Sequence, residues 1–277
     1  MYSVQKQKIA IIGPGNMGKA IRDGLLISKK FNKENILFGE DKLKNNEIAK
    51  SADLIILAVE PSIIPVVLHE IGSALDKNKI IISLAARVDL NILAKYSNPN
   101  QPIVRVMPNI CAKVGESMSC WTSRNLTVEK ERTVKTLLRA IGKEILLEDE
   151  SMFDAITSIS GSGPAYVFLL AKMIEDFADS IQLDKKISQE IITQTFFGSA
   201  KMLKLSGLDA DKLRKMVVSK GGTTEAALNE MQVNGWRDIF MNALNKARKR
   251  SSDNVTGGSF AKSQLSARIA AFSFVFG

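Results

Sequence analysis

Lys8-Ile9-Ala10-Ile11-Ile12-Gly13-Pro14-Gly15-Asn16-Met17-Gly18 sets a short apolar, β-branched run directly before three glycines at G-x-G-x-x-G spacing. The run reads as a buried strand, and Ala20-Ile21-Arg22-Asp23-Gly24-Leu25-Leu26 follows in helical rhythm. A strand before and a helix after is the context in which this spacing binds a dinucleotide. Gly13 permits the tight turn, Gly15 lets the backbone approach a pyrophosphate, and Gly18 lets helix and strand pack closely. Asn16 and Met17, inside the motif, are counted with them as cofactor-binding. A glycine-rich structural turn is the alternative reading.

Working outward, Ile36-Leu37-Phe38-Gly39 is the second strand. Glu40, 22 residues after Gly18, stands where an acid bonds the adenosine ribose of NAD. Lys42 and Lys44 just beyond suit a 2′-phosphate instead, so these residues leave NADH against NADPH open. Further strands are Leu54–Val59, Ile80–Leu84, Pro102–Val106 and Lys143–Leu147, with helices over roughly Ile63–Leu75 and Thr127–Gly142. Strands alternating with helices imply a doubly wound α/β domain over residues 1–150 with an open parallel sheet. Ligands of such sheets bind beyond the carboxyl ends of the strands, which makes Ala58, Val59, Ala85, Met107, Pro108 and Asn109 a candidate rim.

Residues 151–277 read as all-helical. Val167, Leu170, Ala171, Ile174, Phe177, Ala178 and Ile181 form a wide apolar stripe, and Phe168 and Leu169 carry it nearly all round the first turns. That helix is expected to be buried, with a partner subunit as its cover. Further helices follow over Ser188–Leu205, Asp209–Val218 and Thr224–Asn234, with another from near Trp236. The phenylalanine-bearing tail, Ala270–Gly277, reads as either docked or poorly ordered.

Composition narrows the chemistry. Of 277 residues, 45% are hydrophobic and 24% charged, as in a globular protein. No run of about 18 apolar residues suggests a membrane span. Met1-Tyr2-Ser3-Val4-Gln5-Lys6 enters the first strand without a signal-peptide core, which points to the cytoplasm. Cys111 and Cys120 form neither a zinc pattern nor a disulfide framework. The single histidine, His69, nearly excludes a histidine triad or metal cage, and no metal is expected. The net charge of +9 gathers partly at Lys246-Ala247-Arg248-Lys249-Arg250. Without interleaved aromatics this reads as a solvated helix end, with no nucleic-acid or membrane partner expected.

Two Gly/hydroxyl stretches stand out in the second half. Ser158-Ile159-Ser160-Gly161-Ser162-Gly163-Pro164-Ala165-Tyr166 reads as a loop that opens a helix at Pro164, since Pro is favoured at a first helical position. Ser219-Lys220-Gly221-Gly222-Thr223-Thr224 reads as a second loop, with a Thr cap on the next helix. Each is either ordinary capping or, at a positive helix start, an anion site. Their repetition suggests that both serve one small anionic substrate.

Taken together, these stretches resemble the pyrroline-5-carboxylate reductase family. Gly13–Gly18 is similar to its dinucleotide fingerprint and Arg105-Val106-Met107-Pro108-Asn109 to its rim strand. Ser158–Tyr166 is similar to its interdomain signature and Gly221-Gly222-Thr223-Thr224 to its substrate loop. The resemblance implies a Rossmann-like sheet followed by an all-α dimerisation domain over residues 151–277. It also implies NAD(P)H-dependent reduction of Δ1-pyrroline-5-carboxylate to L-proline by an interwoven homodimer, often assembled into larger rings. On this reading Asn109, Ser160, Gly161, Ser162, Gly221, Gly222, Thr223 and Thr224 bind substrate, and Thr224 is the catalytic hydrogen-bond partner of the ring nitrogen. Asn45 falls on the adenosine side, and NADPH is the expected cofactor with NADH as the second choice.

The chain departs from the family pattern in several places. Glu60 replaces a usual lysine at the cofactor side, Lys220 a usual proline, and Ile110-Cys111 a Thr-Pro pair. The short segment between Phe38 and Asn45 is expected to delete a helix and a strand, and with Glu60 to shift preference toward NADH. Two other readings are a reductase of β-hydroxy acids using Lys172 and a non-catalytic dinucleotide sensor.

Overall fold

The computed structural model describes residues 6–39 and 45–252. Glu40, Lys42, Lys44 and the phenylalanine-bearing tail lie outside them. The described chain forms two compact units, one holding residues up to Ser162 together with Ala247 onward, the other Gly163–Lys246. The first compact unit thus takes in the start of the helical half, and the two units meet at Gly163. Phe153, 1% exposed, belongs to this first unit, where its ring packs under the guanidinium of Arg105.

In the first unit the strands are β1 (Ile9–Ile12), β2 (Ile36–Gly39), β3 (Leu54–Leu57), β4 (Ile80–Ser83), β5 (Ile103–Met107), β6 (Ser117–Arg124) and β7 (Gly142–Leu146). They form one sheet ordered β2-β1-β3-β4-β5-β6-β7. The first five pair in parallel. β1, β3 and β4 are buried along their whole length, so alternate residues feed two cores. Ile9, Ile11, Leu54, Ile56, Ile80 and Ile82 face one, while Ala10, Ile12, Ile55, Leu57 and Ile81 face the other. Branched residues on both faces are what a sheet sandwiched between helix layers requires. The first core takes in Ile21 and Leu25 of α1 (Asn16–Ser28) and, later in the chain, Val134, Leu137 and Leu138 of α5 (Val128–Ala140). The second takes in Ala49 of α2 (Asn45–Ser51), Ile64, Val67 and Leu68 of α3 (Ile64–Glu70) and Leu93 of α4 (Leu90–Lys95).

Several expectations change. The sheet is not wholly parallel, since β6 runs antiparallel to β5. A 3-10 turn over Ile110–Val114 and the left-handed Gly115 (φ 76°) reverse the chain between them. The serines of β6 hide it from a hydrophobicity reading, although Trp121 within it is fully buried. A helix does follow β2, because Asn45–Ser51 is α2, and among the described residues no strand separates it from β3. The long helix expected over Ile63–Leu75 is α3 alone, with 3-10 turns at Pro61–Ile63 and Gly72–Ala74. The six-residue α4, capped by Asp89 onto the Ile92 amide at 2.7 Å, was not legible from periodicity.

After the four-residue α6 (Phe153–Ile156) come α7 (Gly163–Ser180), α8 (Lys185–Leu205), α9 (Ala210–Val217), α10 (Thr223–Val233) and α11 (Trp236–Ser252). The expected burial of the apolar helix, α7, does not occur within one chain. Val167, Leu169, Met173 and Ile174 are exposed, Phe168 is 60% and Phe177 62% exposed, and only Ala178 is buried. In α8 only Ser188 and Ile192 are buried. Apolar surface on this scale on neighbouring helices marks an interface rather than a free surface.

Gly24 gives a test of the packing in the first unit. A Cβ added there would stand 2.0 Å from the Ala112 carbonyl oxygen. Alanine in an open helix interior is worth about 1 kcal/mol over glycine. At this site the sign reverses: Gly24→Ala lowers the unfolding free energy by about 1 kcal/mol or more, read by urea denaturation. A raised midpoint would contradict the close approach.

Candidate active site

The three glycines of the fingerprint sit where β1 and β3 part, the point at which strand order reverses. Gly13 holds φ +118°, and a Cβ on it would stand 2.4 Å from the Ala58 carbonyl oxygen. A Cβ on Gly18 would stand 2.0 Å from the Gly13 carbonyl oxygen, whereas one on Gly15 would meet nothing within 4 Å. Two glycines are therefore required by packing, and the third faces open space. Gly15 is also the N-cap of α1, without a side-chain cap and without an acid in the first turn. Asn16 and Met17 thus begin a 13-residue helix whose N–H groups and positive dipole end are bare. These residues fit the pyrophosphate of a dinucleotide.

The expected rim lies at the ends of the central strands. The Ala58 amide donates to Ile12 O at 2.8 Å, extending the β1–β3 ladder, and the half-buried Val59 follows it. Glu60 is exposed at the N-cap of the 3-10 turn Pro61–Ile63. The buried Ala85 donates its amide to Ser83 Oγ at 3.3 Å. Met107 and Pro108 are buried at the end of β5. Asn45 is buried beside Gly39, and its amide donates to Glu70 Oε2 at 3.3 Å.

The 154–166 stretch differs from its sequence reading. No loop precedes Pro164. α6 passes into a π-helical turn over Thr157–Gly161, Ser162 stays in the right-handed helical region, and α7 continues from Gly163. The Ser162 amide already donates to Thr157 O at 2.9 Å, so the expected bare helix start at Pro164 does not exist. The hydroxyls of Thr157 and Ser158 do not cap either. They bond back to Phe153 O at 2.7 Å and Ala155 O at 2.8 Å, a usage that lets Ser and Thr sit inside a helix.

This turn lies on the expected rim. Gly161 rests against Met107, whose Sδ would be 3.4 Å from an added Cβ. Asn109, 8% exposed, donates from Nδ2 to both the carbonyl oxygen and Oγ of Ser160 at 3.3 Å. Its Oδ1 accepts the Cys111 amide at 3.1 Å, and its own amide donates to Ser117 Oγ at 3.0 Å. Behind the turn, Arg105 pairs with Glu150 at 2.9 Å and stacks 4.3 Å over the Phe153 ring. Ser117, Arg105 and Glu150 were not singled out for this place. The one available signal was a lone arginine in the apolar β5 run.

In the helical unit, Gly222 rather than a threonine is the N-cap of α10, and no side chain caps the helix. Gly221 (φ +71°) donates its amide to Glu225 Oε2 at 2.7 Å, and Gly222 to Ser219 O at 3.0 Å. Exposed Thr223 and half-buried Thr224 follow at an uncapped helix start. Lys220 is exposed. Lys172 is an exposed α7 residue bonded to Asp176, and that bond raises its pKa, the wrong direction for a proton-transfer lysine. Burial pushes the Cys111 and Cys120 thiols up, which keeps both un-ionised and poor nucleophiles. His69 is exposed near the end of α3.

A family model described as pyrroline-5-carboxylate reductase dimerisation matches residues 150–254. Another, described as NADP oxidoreductase coenzyme F420-dependent, matches residues 33–87. The pyrroline-5-carboxylate reductase of Arabidopsis thaliana is 35% identical, over 89% of this chain and 95% of its own. That of Escherichia coli K12 is 33% identical over 89% and 97%. The crystal structure of Plasmodium falciparum pyrroline carboxylate reductase with NADP bound aligns at TM-score 0.83 and 30% identity, covering 90% of this chain and 98% of that one.

Gly15→Ala separates binding from folding at the glycine turn. With no atom in the way, the melting temperature should hold within about 2 °C, while the methyl group at the phosphate face weakens dinucleotide binding about ten-fold or more. Titration of cofactor fluorescence reads the second effect, and unaltered affinity would count against the assignment.

Proposed function

The chain belongs to the pyrroline-5-carboxylate reductase family, and we propose from its own residues how it carries out that reaction. It reduces Δ1-pyrroline-5-carboxylate to L-proline with NADPH, and it assembles with itself. The observation that carries our assignment of residues is the seat of the Ser160-Gly161 turn directly on Met107 and Asn109 of the cofactor rim.

NADPH, when bound, supplies a hydride for the imine carbon. A protonated imine is already electrophilic, so the residues need only hold the reactants in line, which alone is worth many orders of magnitude in well-oriented systems. Gly13, Gly15, Asn16, Met17 and Gly18 hold the pyrophosphate. Ala58, Val59, Glu60, Ala85, Met107 and Pro108 line the rest of the cofactor, with Asn45 toward the adenosine. On the substrate side we assign the Ser160 and Ser162 hydroxyls, Gly161, which leaves room beside Met107, and Asn109 behind Ser160. The Ser162 amide is spent within the π-turn, so its hydroxyl carries that role. From the helical unit we assign the uncapped Thr223 to the carboxylate, with Gly221 and Gly222, whose amides are taken by Glu225 and Ser219, shaping the loop that presents it. The Thr224 hydroxyl bonds the ring nitrogen and holds or relays its proton.

We take residues 1–150 as the cofactor domain and 151–277 as the substrate and dimerisation domain, which the family match over 150–254 supports. A homodimer, or a ring built of dimers, fits the bare apolar faces of α7 and α8. The cytoplasm is the compartment we propose, consistent with two free cysteines. Neither nucleic acid nor membrane belongs to the proposed partners.

Thr224→Ala should lower kcat/KM for pyrroline-5-carboxylate by about 100-fold, the low end of what a positioned proton-transfer group contributes, with NADPH affinity within about two-fold. Steady-state assays run in parallel with NADPH and NADH check both this and any shift that Glu60 brings. Unchanged kinetics would remove Thr224 from its role.

A further inference from the structure

Pro164 has no N–H, so it cannot give the Ser160 carbonyl the donor that an α-helical register would place four residues on. A carbonyl in that position needs a partner from elsewhere. The Asn109 Nδ2 supplies it at 3.3 Å and reaches the Ser160 Oγ at the same distance. The orientation of the carboxamide is fixed by its other end. The Cys111 amide can only donate, so Oδ1 must face it, and the Ser160 carbonyl can only accept, so Nδ2 must face that. Since Nδ2 occupies a lone pair of Ser160 Oγ, the hydroxyl proton is left to donate outward, and the hydrogen bonds of the described residues show no acceptor for it. A hydroxyl held as a donor selects an acceptor-only group such as a carboxylate.

We propose that Asn109 is a positioning residue: it stands in for the N–H that Pro164 lacks, and so holds the Thr157–Gly161 π-turn with the Ser160 hydroxyl aimed as a donor to the substrate carboxylate. The inference rests on the substrate-side assignment of Ser160 above. Asn109 itself is spent on the protein at both ends of its amide and acts on substrate through Ser160. The π-turn that presents Ser160 is closed by the Ser162 amide on Thr157 O at 2.9 Å. Such turns insert one residue into a helix and recur at functional sites.

A double-mutant cycle on the full-length enzyme tests this. Asn109→Ser keeps an N-cap oxygen for the Cys111 amide but lacks the donor that reaches Ser160. Asn109→Asp, which keeps volume and cap, is the second variant if the first melts early. Ser160→Ala and the Asn109→Ser/Ser160→Ala pair complete the cycle, with KM, kcat, NADPH affinity and melting temperature measured for each. Each single change should raise KM for pyrroline-5-carboxylate about ten-fold or more, with NADPH affinity within about two-fold. The double variant should be no more than about two-fold worse than the poorer single one, since residues acting as a unit are non-additive. Pro164→Ala in the Asn109→Ser background returns an N–H to the helix and should recover about three-fold or more in kcat/KM. Losses that multiply in the double variant, or no recovery with Pro164→Ala in a folded protein, overturn the inference while leaving Ser160 on the substrate side. Unchanged kinetics in Ser160→Ala overturns that assignment, and this inference with it.

Discussion

Backbone runs against backbone, with no space for a side chain, where the first strand turns into the first helix. Gly13 lies on the Ala58 carbonyl and Gly18 on the Gly13 carbonyl. This contact sets α1 onto the seam between β1 and β3 and aims its uncapped N-terminus at the place where the sheet parts. The same helix is held again at Gly24, against the Ala112 carbonyl of the turn that Asn109 caps. Asn109 in turn holds Ser160. The glycine turn and the Ser160 turn are therefore joined through one rigid helix and one short 3-10 turn, all within a single compact unit. Interiors packed at this density transmit displacement rather than absorb it.

The parallel part of this frame was legible because each of its strands is a run of branched apolar residues followed by a turn signal. β6 was not, since Ser117 and Ser119 look polar in sequence but are buried, with their hydroxyls turned toward each other at 3.5 Å. The Ser158–Pro164 stretch was misread as a structure. Gly, Ser and Pro in that order suggest a loop by local preference. What overrides the preference lies 51 residues away in the chain, in Asn109, which no local window contains. The Thr223-Thr224 pair was read as a cap for the same local reason, while Gly222 holds that place. For α7 the period was right, and its bare face within one chain leaves the cover to the partner subunit expected there, in keeping with the dimerisation-family match.

Arg105 shows how the first unit closes over its own end. A guanidinium buried among the central strands needs compensation, and Glu150 and the face of Phe153 supply it. Glu150 also accepts the Leu90 amide at 2.9 Å, tying the start of α4 to the same carboxylate. Ser251, near the end of α11, bonds Asp154 at 2.8 Å, so the last described turn returns to the segment where the helical half begins. The π-turn follows directly on this anchored segment, which leaves it little freedom to slide in register.

The exposed faces of α7 and α8 bear on how the chain reaches its folded form. A helical unit in which hardly any apolar side chain is covered cannot offset the entropy of ordering its own backbone. Its last folding step is then second order in chain, and its stability has meaning only at a stated protomer concentration. Dilution, rather than heat, becomes the gentlest way to unfold this half of the protein. Newly made chains gain a complete enzyme only as fast as they meet one another.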